Sequence, residues 1–191
     1  MNTPELVIFT GPMFGSKTTN LLGAIDRYRY QNKVVTAFKP KLDDRYSMSK
    51  IVTHNGGSID AHVIRDGRDI MNFIENYPEH IDVVAIDEAF MIEGVSAVLI
   101  DLFKSGKTII ISSLDLSATL KPFEEIEKLM PWATKIKKCP AVCVVCGNDA
   151  YYTYKKNKDL SEIAVGGSDL YEPRCWHHHD ETNKKQSVNN D

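Results

Sequence analysis

Gly11-Pro12-Met13-Phe14-Gly15-Ser16-Lys17-Thr18, near the start of the chain, has the residue types and order that handle phosphate. A glycine loop offers backbone N–H groups to anionic oxygens. A lysine adds an ammonium for the β- and γ-phosphates, and a threonine hydroxyl can join the shell of Mg²⁺. The chemistry this suggests is phosphoryl transfer from a nucleoside triphosphate such as ATP. One feature departs from the Gly-x4-Gly-Lys-Ser/Thr spacing. Counting from Gly11, the second glycine belongs where this chain has Ser16, and it stands one place early at Gly15. The plainer alternative is a glycine turn ahead of a helix. If the loop has re-formed around Gly15, glycine at 16 would only add unfolded-chain entropy and lower stability slightly.

A second set is Ile81-Asp82-Val83-Val84-Ala85-Ile86-Asp87-Glu88. A buried strand ending in two acids places carboxylates at the carboxyl edge of a sheet, where ligands of open α/β folds bind. Asp87 can serve a magnesium shell, and Glu88 can accept the proton of an attacking hydroxyl as the catalytic base. The alternative is a solvated strand end. A third set joins Cys143-Val-Val-Cys146 to Cys175-Trp-His-His178. Two such knuckles supply four ligands to a closed tetrahedral, structural Zn²⁺ site. His177 or His179 could replace His178, a redox pair at Cys143 and Cys146 is the rival reading, and Cys139 is left as a buried small residue.

These groups need a scaffold. Apolar runs at Leu6–Phe9, Val34–Phe38, Ile81–Ile86 and Thr108–Ile111 alternate with helical patterns at Lys17–Tyr30, Asp69–Asn76 and Glu93–Lys104. That alternation predicts an α/β fold: a parallel sheet with helices on both faces and a P-loop at one strand end. The stretch 40–57 is long, polar and irregular, with His54 as a surface residue. All four cysteines fall in 139–175, which predicts a P-loop domain over 1–135, a zinc lobe over 136–179 and a disordered tail over 180–191. A hydrophobic content of 42% suffices for a packed core. A net charge of −3 argues against nucleic acid as the partner, and so against a zinc-ribbon nucleic-acid ATPase. No apolar run reaches membrane-spanning length and the N-terminus lacks a signal pattern, so a cytoplasmic protein is expected.

Taken in order, GPMFGSKT, DDRY followed by THN, AIDEAF, LDLSATLKPF, AVCVVC, AYYT and GGSDLYEPRC resemble the cytosolic-type (type II) thymidine kinases across nearly the whole chain. The resemblance implies a RecA-like P-loop core and transfer of the ATP γ-phosphate to the 5′-hydroxyl of thymidine, giving dTMP. It implies that Glu88 is the base, that Asp87 and Thr18 serve the magnesium, and that Lys17 holds the phosphates. Met13, Leu114, Thr153, Val165, Gly166, Gly167, Asp169 and Tyr171 would bind the nucleoside, the last five on a lasso loop tethered by zinc. It further implies a homotetramer inhibited by thymidine triphosphate. Ser16, Phe90, Ala118 and Asn55 depart from the family pattern at glycine, glutamine, aromatic and aspartate positions. The other readings are a kinase for another pyrimidine deoxynucleoside and a non-catalytic nucleotide-binding protein with a decayed P-loop.

Overall fold

The computed structural model describes residues 3–43, 49–53, 56–77, 79–156 and 166–179. Strands β1 (Leu6–Thr10), β2 (Val35–Pro40), β5 (His62–Ile64), β6 (Val83–Ile86), β7 (Thr108–Ser113) and β8 (Lys135–Lys138) form one sheet, ordered β5-β2-β6-β7-β1-β8. Every pairing within it is parallel. The predicted runs Leu6–Phe9, Val34–Phe38, Ile81–Ile86 and Thr108–Ile111 correspond to β1, β2, β6 and β7, with ends displaced by a residue or two.

The period-two alternation of strand side chains explains why the core has two halves. Leu6 and Ile8 face one way, into a cluster with Ile70, Val95, Leu99 and Ile126 from α2 (Gly67–Asn76), α3 (Val95–Lys104) and α4 (Glu124–Leu129). Val7 and Phe9 face the other way, against Leu21, Leu22 and Ile25 of α1 (Lys17–Tyr30). A sheet buried on both faces needs continuous apolar strands, and β1, β6 and β7 supply them.

The edge strand β8 reads Lys-Ile-Lys-Lys and is exposed at every position. Its charges hid it from the apolar pattern, although lysines are a common way to protect a sheet edge. Within 40–57, β3 (Lys50–Val52) pairs antiparallel with β4 (Ser58–Asp60), which directly follows the stretch, so this stretch carries more structure than its composition indicates. His54 and Asn55 lie outside the described residues, as does the tail 180–191. The Cys-rich lobe holds two further pairs, β9 (Ala141–Val142) with β10 (Asp149–Ala150) and β11 (Tyr152–Lys155) with β12 (Tyr171–Arg174). No helix among the described residues is long and apolar enough to cross a membrane.

Helix α2 opens with Asp66 accepting from the N–H groups of Arg68 and Asp69, an N-cap that satisfies two orphan donors. Gly67 follows because the turn before α3 lies against it: a Cβ there would stand 2.6 Å from Gly94 O. Gly67→Ala should lower stability by about 1–3 kcal/mol through overpacking, even though alanine is the better helix former. Urea unfolding checks this, and an unchanged or raised midpoint would show that the α2–α3 contact can relax.

Candidate active site and metal cluster

The phosphate-loop sequence leaves the end of β1 and turns sharply. Gly11 has φ 130°, Phe14 φ 67° and Ser16 φ 55°. Gly15 is required for space: a Cβ there, or at Gly11, would stand 2.4 Å from the Cys139 carbonyl oxygen. The loop is therefore built on Gly15, as the shifted spacing suggests. Ser16 is nevertheless left-handed and caps α1 without a side-chain hydrogen bond. The slight stability loss expected for glycine at 16 is thus reversed in sign, because glycine adopts this conformation without the Cβ clash.

Lys17 is buried, and its Nζ donates to Pro12 O at 2.6 Å, across the loop. Burial pushes its pKa down, while Glu88 and Asp87 pull it up. Thr18 Oγ1 donates to Asp87 Oδ1 at 3.2 Å, and Ser112 Oγ donates to the same oxygen. Strand β7, which carries Ser112, lies between β1 and β6, so this hydroxyl stands between the phosphate loop and the acid. Burial pushes the Asp87 carboxyl up to about 7, helped by Glu88 and Asp43 and opposed by the Ser112 and Thr18 hydroxyls. A buried carboxylate beside a threonine hydroxyl at a phosphate loop fits Mg²⁺, a hard cation that takes one or two carboxylates plus phosphate oxygens. Glu88 is left-handed, with φ 49°, at the turn from β6 into a 3-10 segment, Ala89–Met91. Strain of this kind collects at functional sites.

Met13, Gly15, Ser16, Lys17, Thr18, Asp87, Glu88 and Gly167 line one cleft of about 280 Å³. Two charged residues in it, Lys39 and Asp43, were missed from sequence. They form a buried pair at 3.6 Å, and Lys39 Nζ also donates to Lys50 O. The available signal was Lys39-x3-Asp43 at the carboxyl end of an apolar strand. Of the other expected nucleoside residues, Thr153 Oγ1 accepts from Met13 N at 3.0 Å, and Leu114 packs against the main core. Asp169 Oδ1 accepts from Gly167 N, Gly166 lies against Leu170, and Tyr171 is buried at the start of β12. Val165 lies outside the described residues. Phe90, at the family's glutamine position, packs against Phe123 with the rings tilted by 42° and centroids 4.6 Å apart.

Cys143, Cys146, Cys175 and His178 form a metal-ligand cluster, with donor atoms all within 4.8 Å of one another. A tetrahedron of about 2.3 Å Zn–S bonds has edges of about 3.8 Å, slightly less where nitrogen replaces sulfur. Cys146 Sγ and Cys175 Sγ are 3.8 Å apart, and Cys143 Sγ lies 3.7 Å from His178 Nδ1. The Cys175–His178 edge is tighter, at 3.1 Å. The donor set and spacing fit zinc. Burial pushes the Cys143 thiol up, but the backbone N–H groups of Cys175, Val145 and Cys146 outweigh it and bring it to about 6, toward the thiolate that a metal needs. Cys139 stands apart, 2% exposed within the α1-side core. The cluster takes His178, and His179, named above as an alternative ligand, is fully buried with its Nε2 3.2 Å from Thr153 O.

Two outcomes follow. Protein prepared without chelators should carry one zinc per chain by elemental analysis; Cys146→Ser should lose it and Cys139→Ser should keep it. Ser16→Gly should raise unfolding stability by about 1 kcal/mol by removing left-handed strain, and a lowered urea midpoint would contradict it.

The sequence profile described as "Thymidine kinase" matches residues 4–179. A curated relative, "Thymidine kinase" of Pyrobaculum aerophilum, is 34% identical over 180 residues, covering 91% of this chain and 97% of that protein. A phosphate loop, two acids at the end of β6 and a Cys₃His cluster, arranged within a match of this extent, show that the chain belongs to the thymidine kinase family.

Proposed function

We propose that the chain transfers the γ-phosphate of ATP, bound with Mg²⁺, to the 5′-hydroxyl of thymidine. Phosphorylation of thymidine follows from family membership. One observation carries the assignment of the reacting groups: Lys17, Thr18, Asp87 and Glu88 line a single cleft with Met13 and Gly167. Lys17 and the backbone of 11–18 would hold the phosphates, while Thr18 and Asp87 would hold Mg²⁺, which neutralises charge on the transferring group. Glu88 accepts the proton of the attacking hydroxyl. Met13, Leu114, Thr153, Val165, Gly166, Gly167, Asp169 and Tyr171 form the nucleoside site in this reading. The Met13–Thr153 hydrogen bond supports it by joining the phosphate loop to the Cys-rich lobe. Cys143, Cys146, Cys175 and His178 would hold zinc, which would tie together the two knuckles that flank β11 and β12 and so anchor the nucleoside loop. By the same family analogy, we read the enzyme as a cytoplasmic homotetramer inhibited by thymidine triphosphate.

A nucleoside panel with ATP and Mg²⁺, scored for monophosphate, tests the reaction. Thymidine should be the preferred acceptor, and absence of product from every nucleoside would overturn it. Glu88→Gln keeps the shape of the base but removes its basicity. It should lower kcat by about 10²–10⁴-fold and leave ATP binding near wild type, whereas wild-type kcat in that variant ends the assignment.

A further inference from the structure

Asn20 stands in the first turn of α1 and reaches three neighbours of the phosphate loop. Its Nδ2 donates to Ser16 O at 2.8 Å, and its backbone N–H donates to the same carbonyl at 3.1 Å. Its Oδ1 accepts from Lys137 Nζ on β8 at 2.6 Å. Nδ2 also lies 3.7 Å from Cys139 Sγ. One side chain therefore connects the left-handed Ser16 to the chain segment whose Cys139 carbonyl faces Gly11 and Gly15.

The peptide unit makes this connection matter. Ser16 C=O and Lys17 N–H belong to one planar group, so fixing the carbonyl fixes the direction of that N–H. Glycine at 16 would take the left-handed conformation without a steric penalty. Serine is biased away from it, toward backbone angles that would swing the 16–17 peptide. Two hydrogen bonds to the Ser16 carbonyl, one from a side chain that Lys137 orients, oppose that swing.

We infer that Asn20 is a positioning residue for the ATP phosphates, holding the 16–17 peptide in the orientation that a glycine would otherwise secure. The inference rests on the reading of 11–18 as the ATP site. Its test compares Asn20→Ala, Asn20→Asp, Ser16→Gly and the Ser16→Gly/Asn20→Ala pair with wild type. The measurements are MgATP affinity and the separate KM values for ATP and thymidine. Aspartate is the informative change, because it keeps the acceptor for Lys137 but cannot donate to Ser16 O.

Both single changes at Asn20 should weaken MgATP about fivefold, as expected for one lost hydrogen bond, and leave KM for thymidine nearly unmoved. In the Ser16→Gly background the same loss should shrink toward unity. Asn20→Asp binding MgATP as wild type does would overturn the inference. So would equal losses in the serine and glycine backgrounds, or equal rises in both KM values. Wild-type protein that binds no MgATP would overturn the reading of the loop and this inference with it, which separates the two failures.

Discussion

A backbone carbonyl fills the space beneath the phosphate loop, and the organisation of the site follows from it. Cys139 N donates to Thr10 O at 2.7 Å, which extends the β1–β8 pairing by one bond. The carbonyl of the same residue then meets Gly11 and Gly15 so closely that neither position can carry a Cβ. The glycines are thus fixed by a neighbour more than a hundred residues away, and Gly15, not residue 16, is the one the packing demands. The next residues, Pro140 and β9, enter the Cys-rich lobe. The contact that shapes the loop is therefore also the root of the metal-binding half.

A second connection makes the two halves act as one site. Thr153 uses both its polar groups: its hydroxyl accepts from Met13 N, and its carbonyl meets the buried ring of His179. His179 directly follows His178, whose Nδ1 stands among the metal ligands. Displacing the cluster would thus disturb the histidine behind Thr153, then the hydroxyl that holds the phosphate loop. A metal held by this cluster would by this route bear on the substrate site proposed above without taking part in the reaction.

The scaffold was readable because buried parallel strands must be apolar throughout, and the acids of Asp87–Glu88 interrupt such a run where the sheet ends. The cysteine knuckles were readable because their ligands are close in sequence. What stayed hidden depends on pairings across long separations. Strand β8 is too charged to signal itself, and it becomes a strand only because β1 offers a partner edge. Asn20 looks like any polar residue of an amphipathic helix, yet its partners lie 117 and 119 residues away. Lys39 and Asp43 become part of the cleft only when β2 is set beside β6. The left-handed turns at Ser16 and Glu88 carry no sequence mark, since neither residue type favours that conformation.

The charges of the cleft constrain what can enter it. Two ammoniums, Lys17 and Lys39, face three carboxylates, Asp43, Asp87 and Glu88, so the fully ionised cleft carries a net charge of −1. Lys39 is already engaged with Asp43, which leaves Lys17 against Asp87 and Glu88. A triphosphate approaching alone would add repulsion in a site where burial weakens screening. A divalent cation held by the two acids would bring the cleft from −1 to +1, opposite in sign to the triphosphate. It also favours the ionised form of Asp87, the form that burial and Glu88 disfavour when the carboxyl stands alone. The charges of the acid pair beside the loop of 11–18 therefore favour, for the reaction proposed above, a donor that arrives with a divalent cation.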